Sequence, residues 1–363
     1  MDRLKSWIKV KTTPDVGYQT ALKLFDKYGD PQDWNTSVLQ DALAQRFITE
    51  EAFGHLSSDK APFGWERLCK YCEQLQIHYT TVLDADYPTA LRNIYAPPLI
   101  LYYRGNLSNA LSDWNLGVVG TRKPSLYGKA MTEAIVEPVA SAGVTIISGM
   151  AFGIDTSAHQ AALKARGKTI AVFAYGLDQI YPPQNRELAE KILDTGAHVS
   201  EYEPGSKMEK WNFPARNRII SGLSQGVFVI EGPITSGALL TAKFALEQSR
   251  DLYALPGQIN VPNAEGPNHL IKNGARLVTN AEDILADFGI TNTVSEQMDL
   301  FPELFANEKI VYDLLKEQQR AMGFDEFILA TGFSIGQLSI VLLNLELKGL
   351  LVKSHGNTFA LKG

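Results

Sequence analysis

The stretch GVVGTRKPSLYG, residues Gly117–Gly128, decides the fold prediction. An apolar run, Leu116–Val119, stops at a glycine that is followed by Thr-Arg-Lys. This order is typical of a strand that enters an anion-binding turn and then a helix. The dinucleotide fingerprint G-x-G-x-x-G is missing here, so the stretch favours a Rossmann-like turn that holds an anion other than a nucleotide cofactor.

Apolar runs and helical segments alternate on both sides of this stretch, from about residue 99 to residue 285. Seven runs predict strands: LGVVG, VTIISG, KTIAVFAYG, AHVSEY, GVFVIEG, DLYALPG and ARLV. Five helices are expected between them: Lys129–Ala142, Thr156–Ala165, Glu187–Leu193, Asn217–Leu223 and Ala238–Gln248. Such alternation predicts an α/β core, a parallel sheet covered by helices on both faces.

The region before this core, residues 1–75, is predicted to be a helical domain of the SAM or helix-hairpin-helix type. Its segment TPDVGYQTALKLFDKYGDP has a turn at Pro14–Gly17, an apolar helix face and a stop at Gly29. In a helix-hairpin-helix the start of the second helix binds DNA phosphates through backbone N–H groups. The same pattern is also that of an ordinary helical hairpin, and Asp15 in the turn would repel phosphate.

The core itself is placed at residues 76–287, and two more regions follow it. Residues 281–308 carry seven acidic residues and no Lys or Arg, so an acidic linker is predicted at 288–306. Residues 307–363 contain three helical segments and then a hairpin that turns near His355–Asn357. Three helices followed by a hairpin indicate a winged-helix domain.

The composition is that of an ordinary globular protein, with 363 residues, 45% hydrophobic and 20% charged, and a net charge of −6. Neither an apolar run of about 18 residues nor a signal-like N-terminus is seen, which predicts a cytoplasmic protein with no membrane partner. Cys69 and Cys72 form a C-x-x-C pair that permits a metal or redox site, but Leu68, Cys72 and Leu75 equally make one buried helix face. No metal or cofactor is expected.

Four loops follow strands at the sheet edge where ligands of parallel sheets bind. The residues chosen from three of them as binding candidates are Gly120, Thr121, Arg122, Lys123, Arg216, Asn217, Arg218, Ser236 and Gly237. Glycine allows backbone N–H groups to approach an anion, a helix start adds partial positive charge, and arginine forks onto phosphate. In the fourth loop Asp155 and His159, four residues apart on one helix face, could form an acid–base pair. The alternative is that Asp155 caps the helix, as expected, and that His159 is packed in the core.

At these loops the chain resembles the DprA/Smf family of DNA-processing proteins. The resemblance rests on "GTR", "SGMAFGIDTSAH", "GLDQIYPPQN", "FPARNRIISGLS", "EGPITSGALLTA" and "LPG", and on the lead-in "DADYPTALRNIYAPPLILYYRG". It implies an extended Rossmann core that binds single-stranded DNA, a homodimer, protection of incoming DNA in natural transformation, and loading of the RecA recombinase. RecA and other competence proteins would be the partners. Gly120, Thr121 and Arg122 would be the phosphate-binding turn, and Arg216, Asn217 and Arg218 would belong to the same pocket. A basic residue common in the family after Tyr-Pro is replaced here by Pro183.

Two other functions compete with this prediction. Nucleoside-phosphate hydrolases of the lysine-decarboxylase-like group share related glycine loops but carry a catalytic glutamate, where this chain has Leu240 and Ala242. A transcription regulator acting through the winged helix would need basic residues that its last helix lacks. Neither G-x-S-x-G nor a Walker A motif is present. Aromatic residues in or near the loops, Tyr127, Phe152, Tyr181 and Phe213, could stack on bases or pack structurally.

Overall fold

A computed structural model describes residues 1–290, 305–318, 320–347, 350–354 and 358–361 of the chain. They belong to two compact units, Met1–Thr291 and Asn292–Gly363. The first unit contains the N-terminal helices together with the predicted core. The predicted acidic linker, residues 288–306, lies for the greater part outside the described residues.

The first unit begins with five α-helices: α1 (Asp2–Thr12), α2 (Tyr18–Tyr28), α3 (Thr36–Ala44), α4 (Glu50–Ser57) and α5 (Trp65–Gln74). Their buried side chains, among them Trp7 and Leu24, belong to the same hydrophobic cluster as residues of the central sheet. Arg3 on α1 also forms ion pairs with Asp30, at 2.8 Å, and with Asp84, at 2.5 Å. The N-terminal helices are thus packed onto the core, and the division at residue 75 stays a prediction.

Nine strands form one sheet in the described part of this unit: β1 (His78–Thr81), β2 (Ile100–Gly105), β3 (Asn115–Val119), β4 (Thr145–Ser148), β5 (Thr169–Phe173), β6 (Ala197–Ser200), β7 (Gly226–Val229), β8 (Asp251–Ala254) and β9 (Arg276–Leu277). Their order is β1-β2-β6-β5-β4-β3-β7-β8-β9. The seven strands β3 to β9 are parallel, which confirms the predicted sheet.

The antiparallel edge of the sheet was not predicted. β1 pairs with β2, and β2 pairs with β6, both in the antiparallel sense. The sequence of β1, HYTT, is polar and short, and its burial rises only toward its end. A strand of this kind gives no apolar signal, because edge strands are partly solvated.

Helices cover both faces of the sheet: α6 (Thr89–Arg92), α7 (Leu107–Ala110), α8 (Leu126–Ser141), α9 (Ile154–Lys164), α10 (Arg186–Ile192), α11 (Asn212–Leu223), α12 (Gly237–Glu247), α13 (Pro262–Lys272) and α14 (Glu282–Leu285). Neighbouring residues of β4, Ile146 and Ile147, belong to two different hydrophobic clusters, as expected for a strand buried on both sides. The five predicted helices are all present. α13 escaped prediction because it contains Pro267 and Gly266, which normally disfavour a helix.

The second unit contains α15 (Ala306–Gln318), β10 (Met322–Gly323), α16 (Phe324–Thr331), α17 (Ile335–Leu347), β11 (Leu351–Ser354) and β12 (Thr358–Leu361). Its strands form a small antiparallel sheet in the order β10-β12-β11. Three helices and a β-hairpin are the predicted winged-helix arrangement, which is confirmed. The predicted turn at His355–Asn357 lies outside the described residues.

In the described segments no single helix is both long and apolar enough to span a bilayer; by length and composition alone the pair Phe324–Thr331 and Ile335–Glu346, bent by 113°, would suffice.

Candidate nucleic-acid interface

A cleft of about 970 Å³ lies beyond the carboxyl ends of the parallel strands, between the loops that follow β3 to β7. Eight of the nine predicted site residues line it: Gly120, Thr121, Arg122, Lys123, Arg216, Asn217, Ser236 and Gly237. Arg218 does not. The topology therefore brings three separate loops of the sequence together at the predicted edge of the sheet.

The first of these loops is held tightly to its neighbours. A Cβ on Gly120 would lie 2.5 Å from Ile154 Cγ1 and 3.0 Å from the carbonyl oxygen of Glu231. The Thr121 amide donates to that same carbonyl at 2.7 Å. The glycine is therefore needed for close packing, and the Thr121 N–H is not available to an external anion.

The start of α8 is also occupied. Ser125 is the N-cap, and the buried carboxylate of Glu231 accepts hydrogen bonds from its amide, at 2.8 Å, and its hydroxyl, at 2.5 Å. The Cβ-free face of Gly128 lies directly against this carboxylate. The attraction of an external anion to the α8 start stays a prediction, and it is opposed by a carboxylate of the chain that already lies at this positive end.

Exposed cations supply the positive charge of the cleft instead. Arg122, Lys123 and Lys210 line it, and among the described residues none of the three forms an ion pair. The guanidinium carbon of Arg122 lies 5.5 Å from the ring centroid of Phe213, a cation–π distance, and an exposed guanidinium can donate to a phosphate. Asn263 donates to the Lys123 carbonyl at 3.1 Å, which fixes the backbone of the turn.

Arg216 forms the floor of the cleft, and only 4% of it is exposed. Its guanidinium donates to the carbonyl of Gly149 at 2.7 Å and to that of Val172, and its Nε donates to Asn217 Oδ1 at 3.1 Å. A Cβ on Gly149 would lie 2.5 Å from the guanidinium, so glycine is required there. Burial lowers the pKa of Arg216, and the nearby carboxylate of Asp155 partly offsets that effect. Arg216 is thus largely engaged with the protein itself.

Asp155 and His159 do not form an acid–base pair. Gly153 is the N-cap of α9, so the expected capping role of Asp155 is wrong; its carboxylate accepts the Ala151 amide at 3.3 Å from inside the first turn. Burial raises the pKa of Asp155, and Arg216 acts against that rise. His159 is fully buried with Nδ1 2.7 Å from Thr169 Oγ1, and burial lowers its pKa to about 3. The packed-histidine alternative is confirmed.

Arg218 faces away from the cleft. It forms an ion pair with Glu201 at 2.7 Å, in which both side chains are only 17% exposed. Successive residues of a helix point about 100° apart, so Arg216 and Arg218 cannot both face the same side. The sequence placed Arg218 in the pocket, and the structure places it in an internal ion pair.

The start of α12 is the open counterpart of the α8 start. Ser236 is its N-cap, but its side chain caps no N–H group of the first turn: its hydroxyl oxygen is buried and has no hydrogen-bond partner among the described atoms. A Cβ on Gly237 would have no neighbour within 4 Å, so close packing does not explain this glycine. Asn217 donates to the Gly237 carbonyl at 3.1 Å and joins α11 to α12. The positive end of α12 is therefore directed at the cleft without an internal acid.

Several cleft residues lay outside the predicted set. Lys210 and Phe213 lie within six positions of Arg216, and a search for aromatic and basic residues near the chosen loops would have included both. Tyr181 lies in the loop after β5, from which no binding candidate was chosen. Asn263 had no such signal, because it lies on the unpredicted helix α13. Of the four aromatic residues noted in the sequence, Tyr127 lies elsewhere and donates to the Pro256 carbonyl at 3.0 Å.

The described residues hold no cluster of three or more His, Cys, Asp or Glu side chains suited to a metal ion. Cys69 and Cys72 are free thiols on α5, and burial raises the pKa of Cys72 to about 11. A thiol with a raised pKa is a poor nucleophile and metal ligand. The helix-face interpretation of this pair is therefore the one that the structure favours.

Comparison with known proteins agrees with this geometry. The sequence profile of DNA recombination-mediator protein A matches residues 78–289, and that of the DprA winged helix domain matches residues 302–357. Protein Smf of Synechocystis is 36% identical over 350 residues, covering 84% of this chain and 87% of that protein. DNA processing protein DprA of Bacillus subtilis is 42% identical over 220 residues, 61% of this chain and 74% of that protein.

Two solved structures extend the comparison. DprA from Streptococcus pneumoniae superposes with a TM-score of 0.67 at 37% identity, covering 77% of this chain and 96% of that one. DNA processing protein A from Helicobacter pylori, for which a single-stranded DNA binding mode is described, gives a TM-score of 0.53 at 30% identity, covering 58% of this chain and 95% of that one. Both profiles and these relatives agree with the α/β core and the winged helix, and the chain belongs to the DprA/Smf family of DNA-processing proteins.

Proposed function

We propose that this chain binds single-stranded DNA in the cleft and acts as a recombination mediator. One observation carries the proposal: Arg122, Lys123 and Lys210, which are exposed and form no ion pair with any described residue, line the same cleft as the open start of α12. Among the described residues, the buried Asp155 is the only acidic side chain that lines this cleft. Cations and an unoccupied helix start suit backbone phosphates. Phe213 and Tyr181 add aromatic faces, and base stacking contributes about 1–3 kcal/mol per base.

The biological role that we propose is to protect incoming DNA and to help load RecA on it during natural transformation. The chain would work as a homodimer in the cytoplasm, in contact with RecA and other competence proteins. Family membership supports this part of the proposal, and so does the H. pylori relative with its described single-stranded DNA binding mode. DNA would be bound without being cleaved or otherwise chemically changed.

A matched pair of arginine variants tests the binding site. Arg122 is exposed in the cleft, whereas Arg218 lies in its ion pair with Glu201. Arg122→Ala is expected to weaken binding of a labelled single-stranded oligonucleotide about tenfold, because a charged hydrogen bond to phosphate contributes about 1.5–3 kcal/mol. It should also lower the slope of log binding constant against log salt concentration (the salt slope) by about 0.7, which is the contribution of one phosphate contact. Arg218→Ala should leave both unchanged.

The measurement is fluorescence anisotropy over a salt series, with single-stranded and duplex oligonucleotides of several sequences. Preference for the single strand with little dependence on sequence is expected. Equal affinity of Arg122→Ala and wild type would refute the site. Absence of binding at low salt would refute the function and would direct a screen of nucleoside monophosphates for hydrolysis. If binding holds, displacement of single-strand binding protein by RecA with and without this chain tests the loading role.

A further inference from the structure

A second groove lies beside the cleft, on the N-terminal side of the first unit. It has a volume of about 640 Å³ and is formed by α1, the segment that joins α4 to α5, and the loop Glu203–Lys207. The turn at Pro14–Gly17, where the sequence suggested phosphate contact, is not part of its lining. The groove is therefore a separate surface that the family comparison does not describe.

Positive charge dominates the lining of this groove. Four cations border it: Lys9, Lys60, Arg67 and Lys207. Of the residues that the structure describes, Glu203 is the one acidic residue in this lining, and its carboxylate is already paired with Lys11 at 2.8 Å. Among the described residues Lys60 and Lys207 form no ion pair, and both are exposed. Burial and the neighbouring charge of Lys5 lower the pKa of Lys9, Asp59 acts against that effect, and the Lys9 ammonium donates to the Ser58 carbonyl.

Two aromatic residues accompany the cations. Phe63 is completely exposed, at 105% of its reference area, and Trp65 is half-buried beside it. An exposed phenylalanine ring in the same groove as lysines offers a stacking face close to positive charge. Bases of single-stranded nucleic acid are such ligands, because every base has a face that stacks on an aromatic ring while its phosphate contacts a cation.

One short segment of chain connects the groove to the cleft. Lys207 lines the groove, while Met208 and Lys210 line the cleft. Three residues of extended chain span at most about 11 Å. Lys207 and Lys210 are therefore close enough for neighbouring phosphates of one single strand, and Glu209 between them lines neither cavity.

We propose that this groove binds the continuation of the DNA single strand that leaves the cleft, with phosphates at Lys60 and Lys207 and a base stacked on Phe63. The inference rests on the proposed function of the cleft and extends it to the N-terminal helices. It makes binding depend on strand length: a short strand fills the cleft alone, and a longer one also contacts the groove.

The test compares two strand lengths, about 6 and about 20 nucleotides, within the range of 4–16 nucleotides per site that single-strand binders cover and just beyond it. For the longer strand, Phe63→Ala should weaken binding about tenfold, the effect of one lost stacking contact. The double variant Lys60→Ala/Lys207→Ala should lower the salt slope by about 1.4. For the short strand, all these variants should match the wild type.

Two matched controls lie on the same unit but outside both sites. Tyr95 is 83% exposed and lines neither the cleft nor the groove, so Tyr95→Ala controls for removal of an exposed ring. Lys191 is paired with Glu187 at 2.7 Å on α10, and Lys191→Ala controls for removal of a lysine. Photocrosslinking of an iodouracil-containing long strand should label the peptide that contains Phe63 and Trp65, and not the one that contains Tyr95.

The outcomes separate this inference from the function of the cleft. If Arg122→Ala weakens both strand lengths while the groove variants bind the long strand as the wild type does, the groove inference is overturned and the cleft stands. If Arg122→Ala changes neither length, the proposed site in the cleft fails, and a strand that continues from it fails as well. Loss confined to the long strand in the groove variants supports the inference.

Discussion

The starts of α8 and α12 look alike in the sequence and differ in the structure. Each follows a glycine-containing loop after a parallel strand, and each was expected to attract an anion. At α8 the carboxylate of Glu231 accepts the Ser125 amide and hydroxyl. At α12 the hydroxyl oxygen of Ser236 has no described partner, and the space around Gly237 is open. One helix start is closed by the chain, and the other is left for a ligand.

The loop between β7 and α12 accounts for both the closed start of α8 and the open start of α12. Glu231 comes two residues after β7, and the same loop ends at Ser236, where α12 begins. The loop thus places its acid at the neighbouring helix and keeps none for its own. The consequence is electrostatic: the negative charge is buried behind the turn at Gly120, so that the cleft keeps its cations without a competing surface carboxylate. A mutation at the start of α8 and one at the start of α12 should therefore change different properties of the protein.

The largest effect is expected from Arg216→Ala, which removes the floor beneath the open start. Arg216 positions Asn217, and Asn217 donates to the Gly237 carbonyl. The variant would leave two buried carbonyls without their donor and remove a positive charge that acts on the buried Asp155. Each unsatisfied buried acceptor costs about 1–3 kcal/mol, so we expect the free energy of unfolding to fall by about 2–6 kcal/mol. Urea denaturation followed by tryptophan emission measures it, because all five tryptophans lie in the first unit.

Arg122→Ala is the control for this variant, since it removes an exposed arginine from the same cleft. It should lose affinity for DNA and keep the wild-type urea midpoint, whereas Arg216→Ala should lose stability first. Arg216→Lys keeps the charge but cannot reach both carbonyls with a planar fork, so its midpoint should lie between the two. A wild-type midpoint for Arg216→Ala would show that the floor is not structural.

Glu231→Ala opens the closed start and should have the second largest effect. It leaves the Ser125 amide without an acceptor in a buried place and removes a charge from the positive end of α8. An unsatisfied buried donor costs about 1–3 kcal/mol, and the lost interaction with the helix dipole adds to it. We therefore expect the free energy of unfolding to fall by about 2–3 kcal/mol, again measured by urea denaturation.

DNA binding distinguishes this variant from a change in the cleft. Glu231 does not line the cleft, so the folded fraction of Glu231→Ala should bind single strands with wild-type affinity. Glu247→Ala removes an exposed acid that is paired with Lys243 on α12, and it should alter neither property. A gain of DNA affinity in Glu231→Ala would mean that the α8 start can also accept a phosphate, and the proposed difference between the starts of α8 and α12 would not hold.

Sequence patterns predicted the sheet because its parallel strands are buried on both faces and so consist of continuous apolar runs. They also selected the loops of the cleft, since those loops end strands at one edge of the sheet. What they could not show is the direction in which each helical side chain points. Arg216 and Arg218 are alike in a string of letters, yet a helical turn buries one beneath the cleft and pairs the other with Glu201.

Partners distant in sequence were equally hidden. Glu231 lies 106 residues from Ser125 along the chain, and only the pairing of β3 with β7 brings them together. The sequence marked the start of α8 as positive, which is right, but it could not show that the compensating charge comes from the same molecule. For the same reason the sequence could not show that Gly120, chosen as an anion-binding glycine, is packed against Ile154 and Glu231, whereas Gly237, chosen for the same role, lies in open space.

The smallest effect on stability is expected from Gly237→Asp, which gives the start of α12 a carboxylate like the one that the start of α8 already has. This variant is the most direct test of the difference between the two helix starts. A side chain at this position meets no atom within 4 Å, and the backbone of Gly237 does not have a positive φ. Asp in the first turn of a helix is favourable, so stability should be kept or rise by about 0.5 kcal/mol. Binding of single-stranded DNA should fall about tenfold, because the new charge repels the phosphate that the open start would hold.

Gly237→Ala separates charge from bulk at the same position. Alanine fills the same open space without a charge, and its higher helix propensity should raise the urea midpoint slightly. If the open start of α12 binds phosphate through its N–H groups, Gly237→Ala should bind DNA nearly as the wild type does. Only Gly237→Asp should lose affinity at low salt. Its affinity relative to the wild type should partly recover at higher salt, because salt screens the repulsion. Equal losses in both variants would mean that the cleft needs the space at Gly237 rather than the positive end of the helix, and the difference between the two helix starts would then be one of shape.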